Sequence, residues 1–219
     1  MNFLARFNTK FYKTLLIILV FFIAYTLISW YIYKFLSQEL FITGISYFFT
    51  KTVFWIALGF GLLKWWFGLK WKEASGLNIW TKNTILWVII ATYMSFWWVY
   101  LGILVDSISY KIDFSKLSLN YFYNNFFAYS FTEEFLFRGF LQSFFVLHFR
   151  PSLSIMIQSL LFVLIHLSWW FFAGVYSLDG VFQIFVLGLI WGFVRHKSKS
   201  LWPTVVAHGV YDFILGLIY

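Results

Sequence analysis

The chain has 219 residues, of which 62% are hydrophobic, 26% aromatic and 11% charged. Soluble domains are about half apolar and a quarter charged, so this composition excludes an ordinary globular protein, and with 13 Gly and 2 Pro it excludes a fibrous or disordered chain as well. Cysteine is absent, which removes disulfide scaffolds, thiol catalysis and thiolate metal sites, and in so apolar a chain the net charge of +8 belongs at a membrane surface rather than on nucleic acid.

A helix crossing a bilayer needs about 20 mostly apolar residues. The uncharged run between Lys13 and Lys34 predicts a first span over 14–33. It is longer than the roughly 7–15 residues of a signal-peptide core and no A-x-A site follows, so it is expected to be retained. A second span is predicted over 41–63, with Lys51 inside it, and a third between Lys82 and Asp106. The fourth, 121–148, contains Glu133, Glu134 and Arg138; the fifth, 152–173, follows the Arg150-Pro151 break and carries His166. The sixth, 180–194, is short, and the seventh, 201–218, carries His208 and Asp212. The chain is therefore expected to be all-α, a single polytopic membrane domain over 1–219 with about seven transmembrane helices.

Alternating sides around seven spans gives one face Arg6, Lys10, Lys13, Lys64, Lys70, Lys72, Lys82, Arg150, Arg195, Lys197 and Lys199, and the other Lys34, Lys111 and Lys116. Basic residues concentrate on the cytoplasmic side of membrane proteins, which places the N-terminus in the cytoplasm and the C-terminus outside. The stretch 64–83, with Trp65, Trp66, Trp71 and Trp80, is expected along the cytoplasmic surface, where Trp prefers to sit. Gly188 and Gly192 form a G-x-x-x-G, a spacing that lets membrane helices pack closely.

An ionisable group near the centre of a membrane helix costs about 2.5–3.5 kcal/mol on insertion scales, so such groups mark a site by default. Apart from Lys51, those in this chain fall in spans four, five and seven. Glu134 and Arg138 are four apart and share a helix face in the favourable acid-first order, a structural ion pair. Glu133 is rotated about 100° away and is left free for chemistry, the alternative being that both carboxylates pair with basic groups inside the bundle. His208 and Asp212 are also four apart, so Asp212 is placed either to orient the imidazole or to tie helices together. His166 alone reads equally as a buried, hydrogen-bonded histidine. His148 and His196 read as surface groups.

Glu133, Glu134 and Arg138 form E-E-x-x-x-R, Phe162 and His166 form F-x-x-x-H, and His208 and Asp212 form H-x-x-x-N/D. In this order, with Leu201-Trp202-Pro203 ahead of the last motif, residues 121–219 resemble the CAAX protease and bacteriocin-processing (CPBP, or Abi) family, which includes the Ras-converting CAAX endopeptidases. The resemblance implies a helical membrane bundle that hydrolyses peptide bonds. It makes Glu133 the general base that activates water, His166 its partner in binding that water, and His208 with residue 212 the oxyanion stabilisers. Arg138 would hold Glu134 and the helix geometry. One position departs: the Ras-converting members carry Asn where this chain has Asp212. An ionised Asp repels an oxyanion, so Asp212 is protonated, orients His208, or helps to bind a metal. No cofactor is expected. The alternative is a divalent metal such as zinc, with Glu133, His166 and His208 as three ligands and an open water position; a zincin-type H-E-x-x-H is absent.

The expected partners are the lipid bilayer and a membrane-associated peptide or protein substrate, such as a CAAX-type tail, a bacteriocin leader or a pheromone precursor. No nucleic acid is expected, and no feature specifies an oligomeric state. Abundant Phe, Ile, Lys, Asn and Tyr points to an A/T-rich genome and a bacterial plasma membrane. The rival readings are a non-catalytic bacteriocin immunity or scaffold protein and, ranked lower, a proton-coupled transporter, whose internal repeats are missing. A rhomboid-like G-x-S-x-G is begun by Gly44 and Ser46 but fails at Phe48, where its final glycine is missing, and a presenilin-like pair fails because Tyr211-Asp212 has no G-x-G-D partner.

Overall fold

The computed structural model describes residues 9–36, 52, 53, 55–62, 64, 70–106, 111–174 and 177–218. Among them the chain is helical without strands, apart from an isolated bridge between Ile112 and Ile218. Helix α1 is Thr9–Leu36, α2 is the short Trp71–Ser75, and α3 is Lys82–Asp106. A 3-10 turn at Phe114–Lys116 leads into α4, a continuous helix built of five stretches: Leu119–Tyr123, a π-helical Asn124–Phe131, Thr132–Glu134, a second π-helical stretch Phe135–Leu141, and Gln142–Val146. Then come α5 (Pro151–Ala173), α6 (Leu178–Ser198) and α7 (Trp202–Leu215).

The helix ends follow from local sequence. Thr81 and Thr84 cap α3 reciprocally: the Thr84 amide donates to Thr81 Oγ1 (3.3 Å) and the Thr81 amide to Thr84 Oγ1 (2.9 Å). Ser118 caps α4 and Ser177 caps α6, each through its hydroxyl oxygen. Pro151 starts α5 where its missing N–H is harmless, and Gly174, with φ +69°, closes it. The sixth span comes out longer than predicted. Its C-terminal turn absorbs Arg195, His196 and Lys197, cations that suit the negative end of a helix.

Helices stand at six of the seven predicted spans. The second lies partly outside the described residues, as does Lys51; within it, residues 55–61 are helical. Thr9–Ile28 and Leu178–Ser198 are the candidate membrane spans by length and composition among the described residues. The outer faces are apolar: Leu16, Leu19, Ile23 and Leu27 on α1, Ile85 and Ile89 on α3, and Leu160 and Leu164 on α5 are exposed, as expected of a surface that meets lipid rather than water.

Helix α4 is the axis of the bundle, with every residue from 132 to 142 buried. Around it α7 packs on α3 and α4, α5 on α1 and α6, and α6 on α3. The G-x-x-x-G is used as predicted. A Cβ at Gly188 would lie 3.0 Å from Ser159 Cβ, and the Gly188 and Gly192 carbonyls accept from Gln158 (3.0 Å) and Gln142 (2.8 Å).

Each end of the bundle is tied separately. At one end, Ala74 O accepts from Ser143 Oγ and Arg195 Nη2, Leu77 O from Trp202 Nε1, and Phe11 packs on Phe144 and Phe149. His148 belongs to this packing, its ring 4.5 Å from Phe11 and 5.0 Å from Phe144, so it is wedged between α1 and α4 and is not the surface group predicted. At the other end, Asp113 N donates to Leu217 O and Lys116 Nζ to Gly216 O.

Candidate active site

The ionisable side chains of α4, α5 and α7 converge at mid-bundle. Glu134 and Arg138 form the predicted pair, with Arg138 Nη1 2.7 Å from Glu134 Oε1 and both side chains wholly buried. Glu134 Oε1 also accepts from Nδ1 of His208 at 2.9 Å. The structural pair is thus also the anchor of a histidine, forming a chain Arg138–Glu134–His208. The guanidinium lies 4.3 Å from the centre of the Phe162 ring, so a planar cation covers an aromatic face in a dry core.

Glu133 faces the other way, as the helical rotation requires. Its Oε2 is 3.9 Å from Nε2 of His166 and 3.9 Å from Nε2 of His208. These separations are too long for direct hydrogen bonds, and polar groups at this range are commonly bridged by water. Asp212 Oδ2 is 3.2 Å from His208 Nε2, one turn along α7. Of the three options for Asp212, this contact matches the orienting one. Glu133 and His208 form the buried floor, at 6% and 5% exposure, while His166 (23%) and Asp212 (28%) form the open rim.

The histidines differ in what they offer. His166 Nδ1 is 2.8 Å from the Phe162 carbonyl, which can only accept, so Nδ1 carries a proton, and when the ring is neutral Nε2 presents a lone pair toward Glu133. His208 has carboxylate oxygens beside both nitrogens, so both are set to donate.

Two supporting residues escape sequence reasoning. Trp191 of α6 stacks on His208, centroids 4.2 Å apart at 25°, and its Nε1 donates to Ser95 Oγ of α3 at 3.0 Å. Gly209 has no side chain to keep α7 from Phe126: a Cβ there would fall 2.5 Å from Phe126 Cδ1. Trp191 had no distinguishing signal in the sequence, because it falls near the end of the predicted span 180–194, where Trp usually sits.

The zinc alternative meets a geometric test. Ligands about 2.0–2.1 Å from a tetrahedral ion lie about 3.3 Å apart, closer than the 3.9 Å from Glu133 Oε2 to either histidine. Among the described residues no three His, Asp or Glu side chains group so as to hold a metal ion. As arranged, Glu133, His166 and His208 do not fit a zinc.

Residues 115–214, a little under half of the chain, match the family model described as type II CAAX prenyl endopeptidase Rce1-like. No curated protein and no solved structure matches the chain.

Proposed function

We propose, from the match of residues 115–214 to the CAAX prenyl endopeptidase family model, that the protein is an intramembrane endopeptidase that hydrolyses a peptide bond of a membrane-associated peptide or protein, with Glu133 as general base. The observation that carries this reading is the convergence of Glu133 Oε2, 3.9 Å from both His166 Nε2 and His208 Nε2, on a buried floor with an open rim.

Water supplies two O–H donors, and Glu133 Oε2 with the His166 Nε2 lone pair offers two acceptors. A water about 2.8 Å from each fits off the line joining them. Held so, it presents its lone pair to a carbonyl carbon entering from the His166–Asp212 rim. Glu133 takes the proton as the O–C bond forms, and the carbonyl oxygen becomes an oxyanion. His208 Nε2–H, aimed by Glu134 at the opposite nitrogen and steadied by Trp191, turns from Asp212 Oδ2, its neighbour at 3.2 Å before substrate enters, to donate to that oxyanion. Collapse of the tetrahedral intermediate breaks the C–N bond, and the proton on Glu133 passes to the departing amine. Asp212 acts as a positioning residue through His208 and makes no contact with the oxyanion. This scheme uses no metal, so cleavage is expected to persist in excess chelator; its loss, with recovery on adding zinc, would transfer the role of water activation to a metal.

The molecule is proposed to span the membrane seven times with its N-terminus in the cytoplasm, in a bacterial plasma membrane. The alternating ends of the bundle support this, because Arg195 and Lys199 lie at the end opposite Lys111 and Lys116. The test compares peptide termini in host membranes carrying the wild type or Glu133→Gln at equal expression. Termini made only by the wild type are expected, and they identify substrate and cleavage site together. Identical termini from two folded proteins would remove the protease reading in favour of an immunity or scaffold role.

A further inference from the structure

Toward the C-terminal end of α4, beyond the Glu134 pair, lies a cavity of about 300 Å³ lined by Arg138, Gln142, Ser143, Val146, Arg195, His196 and Lys199. Three of these are permanent cations, and none of the described residues lining it is acidic. Arg138 is wholly buried and spends only Nη1 on Glu134; its Nε and Nη2 are buried and have no hydrogen-bond partner among the described residues. Arg195 Nε is in the same state, although its Nη2 reaches Ala74 O at 3.1 Å. Buried N–H groups of a charged side chain are costly to leave unmade, and two arginines sharing a cavity add repulsion to that cost. An anion seated among Arg138, Arg195 and Lys199 offsets the repulsion, and meets the buried N–H groups once those side chains turn toward it. Among the residues lining the cavity, Gln142 Oε1 is a buried acceptor without a partner, which suits an anion that carries a hydroxyl.

We propose that this cavity between α4 and α6 binds a phosphate anion with a hydroxyl on or beside it, either the phosphodiester and glycerol hydroxyls of an anionic phospholipid headgroup or inorganic phosphate with its own P–OH. Arginine forks match phosphate oxygens, and Lys199, exposed at the rim, supplies a further charge where the headgroup would enter. The cavity lies at the end of the bundle that holds Arg195, Lys197 and Lys199, where basic pockets between membrane helices meet anionic headgroups. It lies beyond the Glu133 floor and shares only Arg138 with the Arg138–Glu134–His208 chain, and anion binding there does not require that the protein be a protease.

The test uses the full chain in a neutral, phosphate-free detergent, reading the thermal midpoint during titration with inorganic phosphate or with short-chain phosphatidylglycerol, at constant ionic strength. The wild type is expected to be stabilised saturably by at least one of them. Lys199→Glu is expected to weaken the half-saturating concentration about tenfold, the effect of removing one charged contact. Lys199→Ala repeats the comparison without a new carboxylate. A response to phosphatidylglycerol alone identifies a headgroup site, and a response to phosphate as well identifies a site for the free anion. No saturable response in the wild type, or variants that respond as the wild type does, would overturn the proposal.

Discussion

Removing Arg138 and neutralising Glu133 should damage the protein in different ways. Arg138→Ala strips the buried Glu134 carboxylate of its 2.7 Å cationic partner, a change that costs about 3–5 kcal/mol for a buried pair. Folded yield and thermal midpoint in detergent should fall, and His208 should lose its aim with them. Glu133→Gln keeps the volume and removes a buried charge, so yield should hold while cleavage drops by about 10²–10⁴-fold, the range for loss of a general base. Full activity at normal yield in Arg138→Ala would contradict this division. The division itself is legible in the sequence, because neighbouring helical residues point about 100° apart and a spacing of four returns to the same face. What helical periodicity cannot carry is the other half of Glu134's role. Its contact with His208 joins residues 74 apart in the chain, and such a pairing is set by how α7 docks on α4.

At the scale of elements, that docking depends on an absent side chain. Gly209 follows His208, and the Phe126 ring of the first π-helical stretch of α4 lies where its Cβ would be, with three ring carbons at 2.5, 2.8 and 3.0 Å. Gly209→Ala should therefore push α7 off α4, since an aromatic ring packed against Phe122 and Phe213 cannot yield that far. Overpacking of this kind costs about 1–3 kcal/mol. The expected result is a protein that still inserts, with a lowered thermal midpoint and a larger loss of cleavage than of stability; unchanged cleavage would show that the α4–α7 spacing does not set the site. The sequence makes α4 and α7 legible as apolar helices carrying charges, but not the π-helical winding of α4. That winding, i→i+5 rather than i→i+4, leaves no distinct residue pattern, and such segments recur at functional sites. The Glu133–Glu134 rotation survives because Thr132–Glu134 keeps α-helical winding between the two π-helical stretches.

For the whole molecule, the distribution of cations connects the sequence to a testable topology. Lys111 and Ser152 are both exposed and lie on either side of α4, the central helix. If α4 crosses the bilayer and the count of basic residues sets the direction, Lys111 faces outward and Ser152 faces the cytoplasm. Long apolar helices are legible in composition because lipid selects for apolar runs, and the direction drawn from cations on one side is the part that labelling tests; the inward packing that gathers Glu133, His166 and His208 is set by contacts among those helices and leaves no comparable signature. Because the natural chain contains no cysteine, each position can be probed by a single substitution against a silent background. Lys111→Cys should react with a membrane-impermeant maleimide on intact cells, and Ser152→Cys only after permeabilisation. The reverse pattern would invert the orientation and move the phosphate-site end of the bundle outside. Labelling of both from one side would mean that α4 does not cross, which would remove the intramembrane setting of the proposed cleavage while leaving Glu133 buried by the packing of the bundle.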